Sequence, residues 1–223
     1  MDHQSRSGVC PKKRVRDRLI RLAHQRPHWA LGFEDEVWWS RTAQPSLHAW
    51  SEPDQPLRLV EQSVPTDDPD PKALACYGLL VSWRPTEGPP KEQVWLRFVD
   101  GHPVSEVTTA FLAWSCAKLE HLGKKVLLLV WDNASWHISR HVKRWISHHN
   151  RRVKRERKGV RILACFLPIK SPWLNPIEPK WVHAKRRVLE PDGLLSVKEL
   201  AQRVCDSFNC RYEDHLAIPE KVA

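Results

Sequence analysis

Two hydrophobic rhythms alternate along the chain, one of period 3.6 and one of uninterrupted or period-two apolar runs, and the places where they switch mark the elements. Lys12 to Ala23 sets Val15, Leu19, Leu22 and Ala23 on one helical face among Lys12, Lys13, Arg14, Arg16, Arg18 and Arg21, which predicts a basic lead-in helix. It reads either as a solvated surface helix or as a linker that touches DNA. Trp29 to Trp39 predicts a strand, and Ala73 to Trp83 and Gln93 to Val99 predict two more, parted by the turn-rich Arg84 to Pro90. Val104, Val107, Phe111 and Trp114 recur at helical spacing, so Pro103 to Leu122 reads as an amphipathic helix that Gly123 ends. Val126 to Trp131 is apolar without alternation, as expected of a strand covered on both faces. The next helix, about Ser135 to Asn150, is expected to bury Ile138, Val142, Trp145 and Ile146 and to turn His137, His141, Arg144 and His148 outward. A strand over Arg161 to Leu167 and two closing helices starting near Asn175 and Ser196 complete the series. Ser196-Val197-Lys198-Glu199 forms a capping box ahead of the stripe Val197, Leu200, Val204 and Phe208.

This order of strands and helices predicts an α/β sheet with helices on both faces and no internal repeat. Between Gln44 and Lys72, prolines at 45, 53, 56, 65, 69 and 71 preclude long regular elements and predict a loop-rich excursion with short strands. Asp67, Asp68 and Asp70 lie there without calcium-loop spacing and read as turn residues.

Composition narrows the class. A chain of 223 residues that is 41% hydrophobic and holds 12 Trp can build one sizeable core and is not disordered. Its 36 Lys and Arg against 26 Asp and Glu leave a formal charge of +10, which predicts attraction to a polyanion, nucleic acid first, without deciding which. No apolar stretch approaches the roughly 18 residues of a membrane span, and Met1 to Arg18 lacks the apolar core of a signal peptide, so a cytoplasmic protein is expected. The Cys at 10, 76, 116, 165, 205 and 210 are scattered and read as reduced, mostly buried thiols rather than a zinc module or disulfide scaffold.

Three carboxylates stand out against this basic background: Asp35 in Phe33-Glu34-Asp35-Glu36, Asp132 after the run Val126 to Trp131, and Glu178 in Trp173-Leu174-Asn175-Pro176-Ile177-Glu178. If they converge, their repulsion must be relieved by protonation or by a hard cation. Magnesium takes one or two carboxylates per ion, so three can seat two ions, and a metal pair about 3.5–4 Å apart suits phosphoryl transfer. Asp132 follows a buried strand, where open α/β sheets place their crevice; it also reads as part of a strand-to-helix turn capped by Asn133 or Ser135. Glu178 equally reads as the acid of a capping box begun by Asn175. Alternation puts Asp35 on the face opposite Glu34 and Glu36 and leaves open which face is inside. His137 and His141 have zinc-binding spacing but lack the neighbouring Glu of a metalloprotease and read as a polar face.

Phe33-Glu34-Asp35-Glu36, Val130-Trp131-Asp132-Asn133-Ala134-Ser135-Trp136-His137, and Leu167-Pro168 with Ser171-Pro172-Trp173-Leu174-Asn175-Pro176-Ile177-Glu178-Pro179-Lys180-Trp181 together resemble the DDE transposases of bacterial insertion sequences in the mariner superfamily. The resemblance covers about residues 30 to 190. It implies a ribonuclease-H-like mixed sheet flanked by helices over residues 29–192, with a lead-in at 1–28 and a C-terminal helix and tail at 193–223. It further implies the triad Asp35, Asp132 and Glu178 holding two Mg2+ or Mn2+ ions, nicking at terminal inverted repeats, and joining of the 3′ hydroxyl to target DNA, commonly at TA. A homodimer on DNA is expected. Asp132 and Glu178 stand farther apart than the family's pair usually does, and the basic stretch Arg151 to Lys158, with Arg151, Arg152, Lys154 and Arg155, reads as a loop extension in that interval that touches DNA. Lys180, Lys185, Arg186 and Arg187 either track phosphates or form a solvated face. Trp38, Trp39, Trp131, Trp136, Trp173 and Trp181 crowd the motifs; most are expected in the core, with one or two stacking on an unpaired base. The family's N-terminal helix-turn-helix domains have no room before Asp35, so either a separate reading frame supplies them or the chain is a truncated relic. A non-catalytic DNA-binding relic and a ribonuclease-H-like nuclease of another kind are the competing functions.

Overall fold

The computed structural model describes residues 6–42, 63–169, 171–188 and 194–217. Its elements run α1 (Arg6–Gln25), β1 (Trp29–Ser40), β2 (Ala73–Trp83), β3 (Lys91–Asp100), α2 (Ser105–His121), β4 (Val126–Trp131), α3 (Arg140–Glu156), β5 (Arg161–Phe166), a single 3-10 turn (Pro172–Leu174), α4 (Glu178–Val188), α5 (Val197–Ser207) and β6 (Leu216–Ala217). The strands form one sheet in the order β5-β4-β1-β2-β3-β6. β1, β2 and β3 pair antiparallel, whereas β4 lies parallel to β1 and β5 parallel to β4. The short connection over 84–90 joins antiparallel β2 and β3, and α2 and α3 precede the parallel strands β4 and β5.

Alternating side chains of the sheet divide the core in two. Leu31, Phe33, Val37, Trp39, Leu128 and Val130 pack toward Trp181, Ala184, Leu200 and Val204 of α4 and α5, with Leu19 and Ile20 of α1 alongside. Tyr77, Leu79, Val81, Leu127, Leu129 and Trp131 pack on the other face toward Phe111, Leu112 and Leu119 of α2 and Val142 of α3. All six residues of β4 are buried, which is why that strand shows no alternation. Gly123 takes φ 72° after α2, and Ser196 with Glu199 makes the expected capping box. No described helix is long and apolar enough to cross a membrane.

Four expectations need correction. α3 begins at Arg140, capped by the Ser139 side chain, and not at Ser135; the Asp132 side chain accepts from the Ala134 amide and holds the intervening residues in turns. Ile138 is consequently 41% exposed, while Trp145 and Ile146 are only half-buried and His149 is buried. The basic stretch after residue 150 is no loop: α3 continues through it to Glu156, with Val153 buried, and ends on Arg157 in the left-handed region at φ 52°. In α1 Leu19 and Ala23 of the expected face pack on the core and Ile20 joins them, whereas Val15 is 57% exposed.

Asp68 sits in a turn, as expected, and also receives two hydrogen bonds from the buried Arg41 guanidinium at 2.9 and 2.8 Å. Those bonds hold Asp68 below the usual carboxylate range. The prolines at 45, 53 and 56 lie outside the described residues. Cys76, Cys116, Cys165, Cys205 and Cys210 are free thiols, and all but Cys210 are buried.

Candidate active site

The middle of β1 carries Glu34, Asp35 and Glu36, and pleating sends them to opposite faces. Asp35 lies on the α4 side, where Trp181 Nε1 donates to its Oδ2 at 2.9 Å. Its antiparallel partner in β2 is Gly78; a Cβ there would run into the Trp181 ring, so glycine is what lets the indole reach Asp35. Burial, then Glu178, Glu34 and Glu36, push the Asp35 carboxyl up to about 8.

Phe33 is in register with Val130 of β4, the last pair of that ladder, and Asp35 and Asp132 each lie two residues further along their own segments. Asp132 is 53% exposed at its side chain, and its Oδ1 accepts from the Ala134 amide and from His137 Nδ1, both at 2.8 Å. Burial acts to raise it, but those hydrogen bonds hold it below its ordinary value. Asn133 Nδ2 donates to the Leu167 carbonyl at 2.7 Å, which fixes the turn against the end of β5.

Glu178 is the first residue of α4 and is half-buried. Burial and the nearby Asp132 raise its carboxyl, and Lys185 acts against them. Among the described residues that carboxylate makes no hydrogen bond, so the capping role is not observed. Asn175 instead donates from Nδ2 to the Glu34 carbonyl at 3.0 Å, tying the approach to α4 onto β1. Asp132 and Glu178 line one cleft of about 380 Å³ together with Asn133, Ala134, Asn175 and Pro172.

On the other face of β1 lies a closed cluster that helical spacing did not reveal. His137, expected to point outward, is fully buried and stacks on Trp131 at 4.6 Å. Its Nδ1 meets Asp132 and its Nε2 meets Glu36 Oε1 at 2.9 Å, with Glu34 Oε2 at 3.1 Å. Both ring nitrogens face carboxylate acceptors, so both carry protons and the ring is an imidazolium. Burial acts to lower its pKa, and Glu34, Asp132 and Glu36 override this and push it up to about 12. Trp136 Nε1 also donates to Glu36 Oε1, at 2.8 Å. Glu34 is 1% exposed and neither oxygen receives a hydrogen bond; burial and Glu36 hold its carboxyl above the usual range, against the pull of His137. Glu34, Glu36 and His137 offer three ligand atoms within 4.8 Å of one another, and the imidazolium already places positive charge among them. The place of His137 in the Asp-Asn-x-x-x-His pattern was the signal in the sequence.

The basic candidates fall in two places. Arg151, Arg152 and Arg155 line a hollow with Trp145 and His148, and Arg151 and Lys154 line another with Trp29 and Arg161. Arg161 opens β5 beside Val126, at the opposite end of the sheet from Asp132. Lys180 pairs with Glu92 at 3.2 Å, Lys185 is half-buried near Glu178, and Arg186 and Arg187 are exposed.

A family profile described as DDE superfamily endonuclease matches residues 92–201, a span that contains Asp132 and Glu178. Over that span the chain matches a DDE superfamily endonuclease domain. Among solved structures, the chain is similar to a Mos1 transposase paired-end complex with left transposon end (TM-score 0.59, 12% identity, 96% of this chain and 57% of that one). It is also similar to a Mos1 mariner paired-end complex with Mn (TM-score 0.57, 13% identity, 94% and 56%) and to the Mos1 strand transfer complex (TM-score 0.54, 13% identity, 90% and 52%). The chain thus spans little more than half the length of the solved chains it matches. At these identities the likeness establishes the fold, a ribonuclease-H-like mixed sheet flanked by helices. No curated protein matches the chain.

Proposed function

We propose that the DDE domain is the catalytic core of a transposase that cuts DNA at the ends of a mobile element and joins the freed 3′ ends to a target, with Asp35, Asp132 and Glu178 holding the metal ions. The observation that carries this reading is the mutual placement of the three carboxylates: Asp132 and Glu178 share one cleft, and Asp35 is raised to about 8 by burial and by Glu178. Such a set carries more negative charge than its surroundings offset. Its donors are all hard carboxylate oxygens, which fit Mg2+ or Mn2+ and suit neither copper nor a structural zinc site. When bound, a pair of such ions activates a water or 3′ hydroxyl and offsets charge on the leaving oxygen.

The chain's own groups do the positioning. The Ala134 amide and His137 fix one oxygen of Asp132 and leave the other for the cleft. Trp181 orients Asp35, and the start of α4, tethered to β1 by Asn175, sets Glu178. Positioning of this sort supplies much of the rate in phosphoryl transfer. The partners are DNA of the element ends and of the target and a second copy of the chain, acting in the cytoplasm. Lys185, near Glu178, reaches phosphate at the cleavage point, Arg186 and Arg187 follow the DNA farther along α4, and Arg151, Arg152, Lys154 and Arg155 hold DNA remote from it.

The test is magnesium-dependent nicking and joining on DNA bearing the element's own ends. Wild-type protein is expected to cut and to join, and Asp132→Asn to do neither. Cutting without joining would assign another nuclease function, and unchanged cutting by Asp132→Asn would remove the site.

A further inference from the structure

The 3-10 turn before α4 is fastened on several sides, yet it leaves its largest side chain in solvent. Arg16 of α1 donates from Nη1 to the Leu174 carbonyl at 2.8 Å, and the Asn175 amide donates to the Pro172 carbonyl at 2.7 Å. Ser171 and Asn175 on either side are 3% and 2% exposed, whereas Trp173 between them is 70% exposed and nearby Ile169 is 69% exposed. Trp39, Trp131 and Trp181 are buried, so the chain readily finds core positions for indoles. Leaving one out forgoes the burial of a large apolar surface. Pro172, immediately before Trp173, lines the cleft that holds Asp132 and Glu178; the indole therefore belongs to a turn on that cleft's rim. The turn cannot readily fold the ring away, because its backbone is tied to α1 and, through Asn175, to β1.

An anchored, solvent-facing aromatic next to a site for phosphate suits stacking on a nucleobase, a contact that requires no particular sequence. Bases within a duplex have both faces covered by their neighbours, so only an unpaired nucleotide can offer a face to a protein ring. We infer that Trp173 is a stacking platform for an unpaired base adjoining the phosphate at the carboxylates, so that DNA is locally opened at its cleavage point when bound. This rests on the proposed DNA-cutting function and names the state of the DNA that the site takes. A single-stranded extension on DNA is the occupant, because the chain's formal charge of +10 favours a polyanion and the ring borders the cleft proposed to take phosphate.

The test compares fluorescence anisotropy of wild type, Trp173→Ala and Trp173→Phe on two labelled probes in calcium, which supports binding without turnover. One probe is a fully paired duplex and the other is the same duplex with a short single-stranded 3′ extension. Wild type is expected to prefer the extended probe, Trp173→Ala to lose about tenfold in affinity on that probe alone, and Trp173→Phe to keep most of the preference. Equal affinities of wild type and Trp173→Ala on the extended probe, or an equal loss on both probes, would overturn the inference. So would a change in oligomeric state by light scattering in Trp173→Ala, which would assign the ring to a protein interface. Nicking by wild type, measured beside these, reports separately on the function: a chain that binds the extended probe through Trp173 but never cuts would sink the catalytic reading alone.

Discussion

The two sides of β1 treat neighbouring carboxylates in opposite ways. Glu34 and Glu36 face a closed pocket in which the buried imidazolium of His137 sits between them and Trp136 completes the set. Asp35, one residue from each, faces the α4 side with a single indole donor and Glu178 as company, and no cation of the chain pairs with it among the described residues. Asp132 links the two sides: its Oδ1 is bound to His137 while its side chain is half open to the cleft. The closed side contains a cation that offsets part of its charge, whereas none pairs with the open side among the described residues, and the proposed ligand site rests on that difference.

The comparison is broken most severely by taking a carboxylate from the open side. Asp132→Ala should reduce magnesium-dependent nicking to background while leaving DNA affinity nearly intact, since affinity comes from Lys and Arg contacts with phosphate; a nicking assay paired with a binding assay decides. On the closed side the main effect moves to stability. His137→Ala leaves buried carboxylates without their cation and should cost about 3–5 kcal/mol in denaturant unfolding, with a further loss of about 10–100-fold in metal affinity through Asp132. A variant as stable as wild type would show that the imidazole is dispensable. Gly78→Ala should cost about 1–3 kcal/mol by overpacking and should also weaken metal binding, because Trp181 would be pushed off Asp35.

The smallest effect is a pH slope. Asp35 titrates at about 8 in the folded chain and at about 4 when unfolded, so between those values the folded state holds the extra proton. Stability from this group is therefore present at low pH, falls as pH rises through that window, and is gone above it. Metal-free Asp35→Asn should lack the decline, so its melting temperature should gain on wild type as pH rises from about 5 to about 8. Parallel melting curves for the two proteins would contradict the assigned burial of Asp35.

The strands were legible in the chain because they are long apolar runs, whereas their order and register were not read from it. The motif residues Asp132 and Glu178 were legible too, since a strand end and a helix start are where sheet topology gathers side chains. His137 was not, because helical periodicity was counted from Ser135, whereas Asp132 holds residues 134–138 in turns and draws the ring inward. The basic stretch after Asn150 read as a loop for want of an apolar stripe, yet Arg, Lys and Glu are good helix formers and the single buried Val153, packed against Gly159, secures the extension. Which face of β1 Asp35 takes was beyond reach, since period-two alternation is symmetric until a helix covers one side.

Manganese binding, followed by titration calorimetry or spin resonance, tests the central claim most directly. Wild-type protein should take up about two ions per chain, and Asp35→Asn, Asp132→Asn and Glu178→Gln should each lose that binding while remaining folded. Wild-type manganese uptake by Asp132→Asn would contradict the account.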